Sequence, residues 1–205
     1  GAKTPQAGAR KWDSNSMNTD TKLKIAVFAS ATGPFDPETL EKSREIGALI
    51  ANHGHTLITG GCPGIPHEAA RAAHENNGKT IAYSPARDIE EHKELSYPTD
   101  CTSEFIFIPE EYSHAKNHDI YKKYRNVSSV RACDAAIIIS GKIGTLNEFT
   151  IAYDLGKTIG ILEGTGGITQ HLKQLIADLN KKTNAKIIYS KEPKELIANI
   201  LEALK

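Results

Sequence analysis

From Lys24 onward, short β-rich runs alternate with stretches whose apolar residues recur every three or four positions. The strand candidates are Lys24–Ser30, His55–Thr59, Thr80–Ser84, Glu104–Ile108, Ala135–Ile139, Thr158–Leu162 and Lys186–Tyr189. A run such as Ala-Ala-Ile-Ile-Ile at 135–139 is apolar at every position. Both faces of such a strand must be covered, which predicts a parallel sheet. Between the strands, Ile168, Leu172, Leu175, Ile176 and Leu179 mark one helix face, and Leu196, Ile197, Ile200, Leu201 and Leu204 another. Ile65, Ala69, Ala72 and Ala73 line the helix after the second strand with small side chains that permit close approach to the sheet. Strict alternation of strand and helix predicts right-handed βαβ units, hence an α/β protein with a doubly wound parallel sheet of about seven strands and helices on both faces. Neither a repeat nor a linker interrupts Met17–Lys205, so one domain is expected. The long irregular stretch Pro85–Ser103 reads as a lid, a binding loop or an insertion.

Residues Gly1–Ser16 fall outside this pattern. They lack periodicity, hold the sole Trp (Trp12) and precede the sole Met (Met17), as a leader appended to a natural start at Met17 would. The 205-residue chain balances 25 basic against 25 acidic side chains. Setting aside Lys3, Arg10, Lys11 and Asp13 of the leader makes the body slightly acidic, which argues against general nucleic-acid binding. No apolar stretch approaches the ~20 residues of a membrane span. Cys62, Cys101 and Cys133 form no Cys-x-x-Cys pair and fit reduced thiols, so a cytoplasmic location is expected.

In an open parallel sheet, ligands bind beyond the carboxyl ends of the strands. The residues there are Ser30-Ala-Thr-Gly-Pro after the first strand, Gly60-Gly61-Cys-Pro-Gly64 after the second and Ser140-Gly141-Lys-Ile-Gly144-Thr145 after the fifth. Glu163-Gly-Thr-Gly-Gly follows the sixth. Glycines let backbone N–H groups approach an anion, and a following helix adds its positive end. The turns at Gly60–Gly64 and Gly141–Thr145, with Ser30, are therefore the candidate phosphate-binding elements. A dinucleotide fingerprint (Gly-x-Gly-x-x-Gly) and a Walker sequence are both missing from these turns, which argues against an NAD enzyme or a P-loop ATPase.

Arg125, followed fifteen residues later by Ser140-Gly-Lys-Ile-Gly-Thr-Leu-Asn-Glu148, resembles the Arg…Pro-Gly-Gly-x-Gly-Thr-x-x-Glu signature of the LOG (Lonely Guy) family, once labelled lysine decarboxylases. The Gly60-Gly-Cys-Pro-Gly turn is similar to the same family's second glycine-rich turn. The wider superfamily includes molybdenum-cofactor carrier proteins. The resemblance runs from Lys24 to the end and implies a Rossmann-like fold and a homodimer. It also implies a nucleoside 5′-monophosphate substrate whose N-glycosidic bond is hydrolysed to free base and ribose 5-phosphate, without metal or organic cofactor. It assigns Arg125 and Glu148 the catalytic roles and Gly144 and Thr145 the phosphate. Two positions depart from the signature. Asn126 stands where the family has Lys, and Ser140-Gly141-Lys142 replaces Pro-Gly-Gly. These departures point toward the alternative, a noncatalytic nucleotide or molybdenum-cofactor binding protein.

Other readings of the same residues stay open at this point. Thr145-Leu-Asn-Glu148 also has the form of a capping box, in which Glu148 closes a helix N-terminus. His114, His118, Tyr121 and Arg125 share one helical stripe, with Ile120, Tyr124 and Val127 facing away. A polar stripe of that kind ordinarily meets solvent, unless it lines a cleft or a partner subunit. His114 and His118 have metal-ligand spacing but no evident third ligand, so no metal site is expected. Arg87 and Asp88, just past the third strand, are further candidates for ligand contact.

Overall fold

A computed structural model describes residues 22–115 and 117–205, with the side chains of 113–115 left out. The expectations for Gly1–Ser16, for Met17 as a start and for the His114 side chain lie outside the described residues. Seven strands form one parallel sheet: β1 Lys24–Ala29, β2 Thr56–Thr59, β3 Lys79–Tyr83, β4 Glu104–Ile106, β5 Ala135–Ile139, β6 Thr158–Leu162 and β7 Lys186–Ser190. The helices are α1 Pro37–Asn52, α2 Ile65–Glu75, α3 Ile89–Glu94, α4 His118–Ala132, α5 Ile143–Asp154, α6 Leu172–Leu179 and α7 Pro193–Ala203. The expected strands are all present, with ends moved by at most two residues.

Strand order is β4-β3-β2-β1-β5-β6-β7. The chain thus winds outward from β1 to β4, then crosses to β5 and winds the other way. Neighbouring β1 and β5 diverge into connections on opposite sides, and a crevice opens at their carboxyl ends. The central strands justify the parallel arrangement residue by residue. Ile25, Val27, Ile137 and Ile139 point into a core shared with α1, α2 and α7. Ala26, Phe28, Ala136 and Ile138 point into a second core shared with α4, α5 and α6. Strands sandwiched in this way are apolar on both faces, as their sequences require.

Small residues fix the α1–α2 layer. A β-carbon on Gly47 would collide with the backbone of Ala69, so the two helices touch almost backbone to backbone. Asp36 caps α1 by accepting from the Thr39 N–H at 3.1 Å, and Pro37 fills the first turn, where a missing N–H costs nothing.

The 85–103 stretch is not an open loop. It contains α3, capped by Asp88, and is anchored by the fully buried His92. The Pro98 carbonyl, 3.0 Å away, can only accept, so His92 Nε2 carries the hydrogen and Nδ1 accepts from the Ser84 hydroxyl at 2.8 Å. Tyr97 and Phe105 meet the imidazole edge-on. Of the expected lid, binding loop or insertion, the stretch has the form of a braced wall. Among the described residues no helix is long and apolar enough to cross a membrane.

Candidate functional site

At the carboxyl ends of β1, β2 and β5 lies a cleft of about 300 Å³. Its floor and sides come from Ser30, Gly60, Arg125, Gly144, Thr145 and Glu148, all named from the sequence, together with Cys62, Tyr97, Lys122, Lys123, Asn126 and Lys142. Gly61, Gly64 and Gly141 do not line it.

The β5–α5 turn is shaped to leave a helix end open. Ser140 has a left-handed backbone with φ +50°, a conformation that costs a non-glycine residue roughly 1 kcal/mol or more. It is held there from outside the cleft. The Ser140 N–H donates to Thr165 Oγ1 at 2.8 Å, and the Ile168 N–H donates to the Gly141 carbonyl at 3.0 Å. Gly141 then turns at φ +100°, where a β-carbon would strike the Thr145 side chain. The helix begins at Ile143, three residues earlier than the Thr-x-x-Glu pattern suggests. Lys142 occupies the cap position and contributes no side-chain cap. Among the described residues no acceptor pairs with the N–H groups of Ile143, Gly144 and Thr145; the first backbone bond is from Leu146 to the Lys142 carbonyl at 2.9 Å. The helix thus opens with free donors at its positive end, and Gly144 and Thr145 among them line the cleft, the arrangement that suits an anion. Thr145 is the third helical residue and Glu148 the sixth, so the capping-box interpretation of Glu148 is overturned.

Glu148 is instead part of the cleft floor. Its side chain is 6% exposed and its Oε1 accepts from Arg125 Nη1 at 2.8 Å, with the arginine side chain 11% exposed. Burial pushes the Glu148 carboxyl up to about 7, against the downward pull of Arg125 and Lys123. Asn126 is buried beside the pair. With its amide nitrogen turned to the available acceptors, it donates to the Lys122 carbonyl at 2.9 Å and to Glu148 Oε1 at 3.2 Å. Arg125 Nε is buried and has no hydrogen-bond partner among the described residues. The guanidinium lies flat on Gly60, where any β-carbon would collide with it. Gly60 is therefore required to be a glycine by the packing of the arginine.

The α2 turn behaves differently from the expectation. Ile65 N–H donates to the Ser30 carbonyl at 3.2 Å, Pro66 has no N–H, and His67 and Glu68 donate to the Gly64 carbonyl. The helix end is sealed. A β-carbon on Gly64 would meet the Ser30 and Ala31 carbonyls, each at 2.8 Å. Gly61 faces His92 and Ala82, and its N–H is taken by Thr59 Oγ1 at 3.2 Å. Gly61 and Gly64 are thus structural. Arg87 and Asp88 also leave the list of ligand contacts. Arg87 Nε pairs with Glu91 at 3.0 Å, and Asp88 caps α3 by accepting from the Glu91 N–H at 2.8 Å.

The stripe on α4 is inverted relative to ordinary amphipathicity. Tyr121 is buried and Arg125 nearly so, whereas Ile120 and Val127 are 42% and 49% exposed. His118 lies 3.6 Å from Glu91. Sequence reasoning missed Tyr97, which the His92 anchor brings to the cleft, and the Lys122-Lys123 pair, whose signal was its place one turn ahead of Arg125. No cluster of three or more metal-ligating side chains occurs among the described residues.

Residues 22–197 match the SLOG cluster4 family. An uncharacterised protein of Archaeoglobus fulgidus is 32% identical over 143 residues, 69% of this chain and 80% of that one. Among solved structures, the protein TM1055 superposes with a TM-score of 0.71 at 23% identity, covering 88% of this chain and 99% of the other. The molybdenum cofactor binding protein of the phototrophic bacterium Rippkaea orientalis gives 0.68 at 21% identity, covering 93% and 100%. At these identities the structural likeness speaks for the fold. The family match bears out the resemblance to LOG-like proteins, and the solved structures add the likeness of fold.

Proposed function

We propose that this chain, which belongs to the SLOG cluster4 family, binds a nucleoside 5′-phosphate in the β1–β5 crevice and hydrolyses its N-glycosidic bond. The observation that carries the proposal is the buried Arg125–Glu148 pair beside an uncapped helix N-terminus. The 5′-phosphate is taken by the N–H groups of Gly144 and Thr145, with Ser30 at the neighbouring strand end. Tyr97, Cys62 and Pro66 supply an apolar and aromatic wall for the base. Breaking the C1′–N bond leaves oxocarbenium-like charge on the sugar. A carboxylate beside C1′ stabilises it and takes the proton of the water that forms the new C1′–O bond, while the leaving base gains a proton from solvent. A carboxyl near 7 is suited to that work at neutral pH. Arg125 holds the carboxylate in place through the 2.8 Å bond from Nη1 to Oε1.

The reading includes a homodimer through the α4 face, where Ile120 and Val127 are exposed with Ile143, 74% exposed, at the start of α5. Light scattering at micromolar concentration should return twice the chain mass; a clean monomer removes this part. The activity is tested by incubating the protein with a panel of nucleoside monophosphates and assaying free base. Turnover is expected to rise with pH through about 7, as Glu148 ionises, and to fall roughly 10²–10⁴-fold in Glu148→Gln. Binding without base release would instead support the noncatalytic alternative, a carrier of nucleotide or of molybdenum cofactor as cargo. Two observations favour that alternative. Lys142 spans the cleft mouth to the Thr32 carbonyl at 3.1 Å, and Asn126 occupies a hydrogen-bonding position on Glu148.

A further inference from the structure

We infer that the cleft is built for a ligand carrying two or more linked phosphates, a nucleoside 5′-diphosphate or longer, with the phosphate beyond the first held by Lys122 and Lys123. The inference rests on the nucleotide reading above and refines its ligand class; it is independent of turnover. The cleft is lined by four cationic side chains, Lys122, Lys123, Arg125 and Lys142, and by a single carboxylate, Glu148. The whole chain is charge-balanced, so this is a local concentration of positive charge. Glu148 pairs with Arg125, which leaves Lys122, Lys123 and Lys142 as the excess positive charge.

The lysines are not otherwise neutralised. Among the described residues neither Lys123 nor Lys142 makes an ion pair, and the Lys142 ammonium rests on a neutral carbonyl. Lys122 pairs with Asp119 at 3.2 Å, but that carboxylate is 85% exposed and heavily screened by solvent. Lys123 lies within electrostatic reach of Glu148, whose carboxyl it draws downward. Lys122 and Arg125 are also three positions apart on α4, a like-charge arrangement that weakens a helix unless an anion sits over it.

The cations stand on two separate elements. Lys142 and the open end of α5 belong to the β5 turn and suffice for one phosphate, which brings about two negative charges. Lys122 and Lys123 belong to α4, and a second linked phosphate supplies the counter-charge they lack. A cleft with this excess concentrates polyanions in preference to singly phosphorylated ligands.

Calorimetric titration of the full chain with AMP, ADP and inorganic pyrophosphate at one fixed salt concentration tests the inference. ADP should bind at least roughly ten-fold tighter than AMP, the scale of one added charge-assisted contact. The ratio should collapse toward one in Lys122→Ala/Lys123→Ala and persist in Lys122→Arg/Lys123→Arg. Lys181→Ala, which removes an exposed ammonium paired with Asp154 on α5, is the charge control and should keep the ratio. ADP binding no tighter than AMP, or a ratio unchanged in the double alanine variant, overturns the inference and leaves the nucleotide reading standing. If none of the three ligands binds, that reading fails and the inference falls with it.

Discussion

The turns that follow β2 and β5 look alike in sequence and leave their helix ends in opposite states. Both are rich in glycine and both lead into a helix on the same rim of the sheet. After β2, the first N–H groups of α2 are consumed by the Ser30 and Gly64 carbonyls, and Pro66 removes another donor. After β5, the first N–H groups of α5 meet no protein acceptor among the described residues. Glycine content does not distinguish an anion site from a tight junction. The inventory of free donors does, and it depends on which carbonyls lie within reach once the sheet is assembled.

This contrast predicts where a substitution harms folding and where it harms the ligand. Gly64→Ala should have the largest effect on stability. Its φ of +79° is strained for any side chain and its β-carbon would press on two carbonyl oxygens. A loss of about 2–4 kcal/mol in denaturant unfolding is expected, and a loss under 1 kcal/mol would mean that the α2 turn is looser than described.

Glu148 gives a pH-dependent effect of similar scale. Its folded carboxyl is raised to about 7 from an ordinary 4.5, so the native state holds the proton more tightly than the unfolded chain. The group is neutral to stability below about 4.5 and costs stability increasingly as pH rises to 7, up to on the order of 3 kcal/mol. Glu148→Gln lacks that titration. Its stability relative to wild type should increase between pH 5 and pH 8, and parallel pH profiles for the two proteins would contradict the buried-carboxyl account.

Gly144→Ala should have the smallest effect on stability. A β-carbon there meets nothing within 4 Å, and alanine in a helix is favourable by up to about 1 kcal/mol. Its cost should fall on the ligand instead, as a roughly ten-fold weaker affinity for AMP, equivalent to about 1.4 kcal/mol. An affinity unchanged from wild type would move the phosphate away from this turn.

Much of this was legible in the sequence because it depended on local pattern. Apolar runs at 25–29 and 135–139 announced buried parallel strands, and the signature from Arg125 to Glu148 named two side chains that the fold pairs in one cleft. What escaped depended on assembly. The Thr145–Glu148 spacing mimics a capping box, but bracing of Ser140 and Gly141 by the 165–168 segment starts α5 three residues earlier. The polar α4 stripe left solvent, a cleft and a partner subunit open, and the structure buries Tyr121 and packs Arg125 against Gly60 in the cleft. The Pro85–Ser103 stretch read as a lid, a binding loop or an insertion because its anchor is one buried histidine bonded to Ser84 and Pro98, a contact with no periodic signature.

The central claim, that a phosphorylated ligand is held at the start of α5, is tested most directly by soaking crystals of the protein with AMP. The account predicts phosphate density within hydrogen-bond distance of the Gly144 and Thr145 N–H groups, with the sugar directed toward Glu148. Density lodged against the α2 turn or elsewhere, with the 141–145 turn vacant, would contradict it.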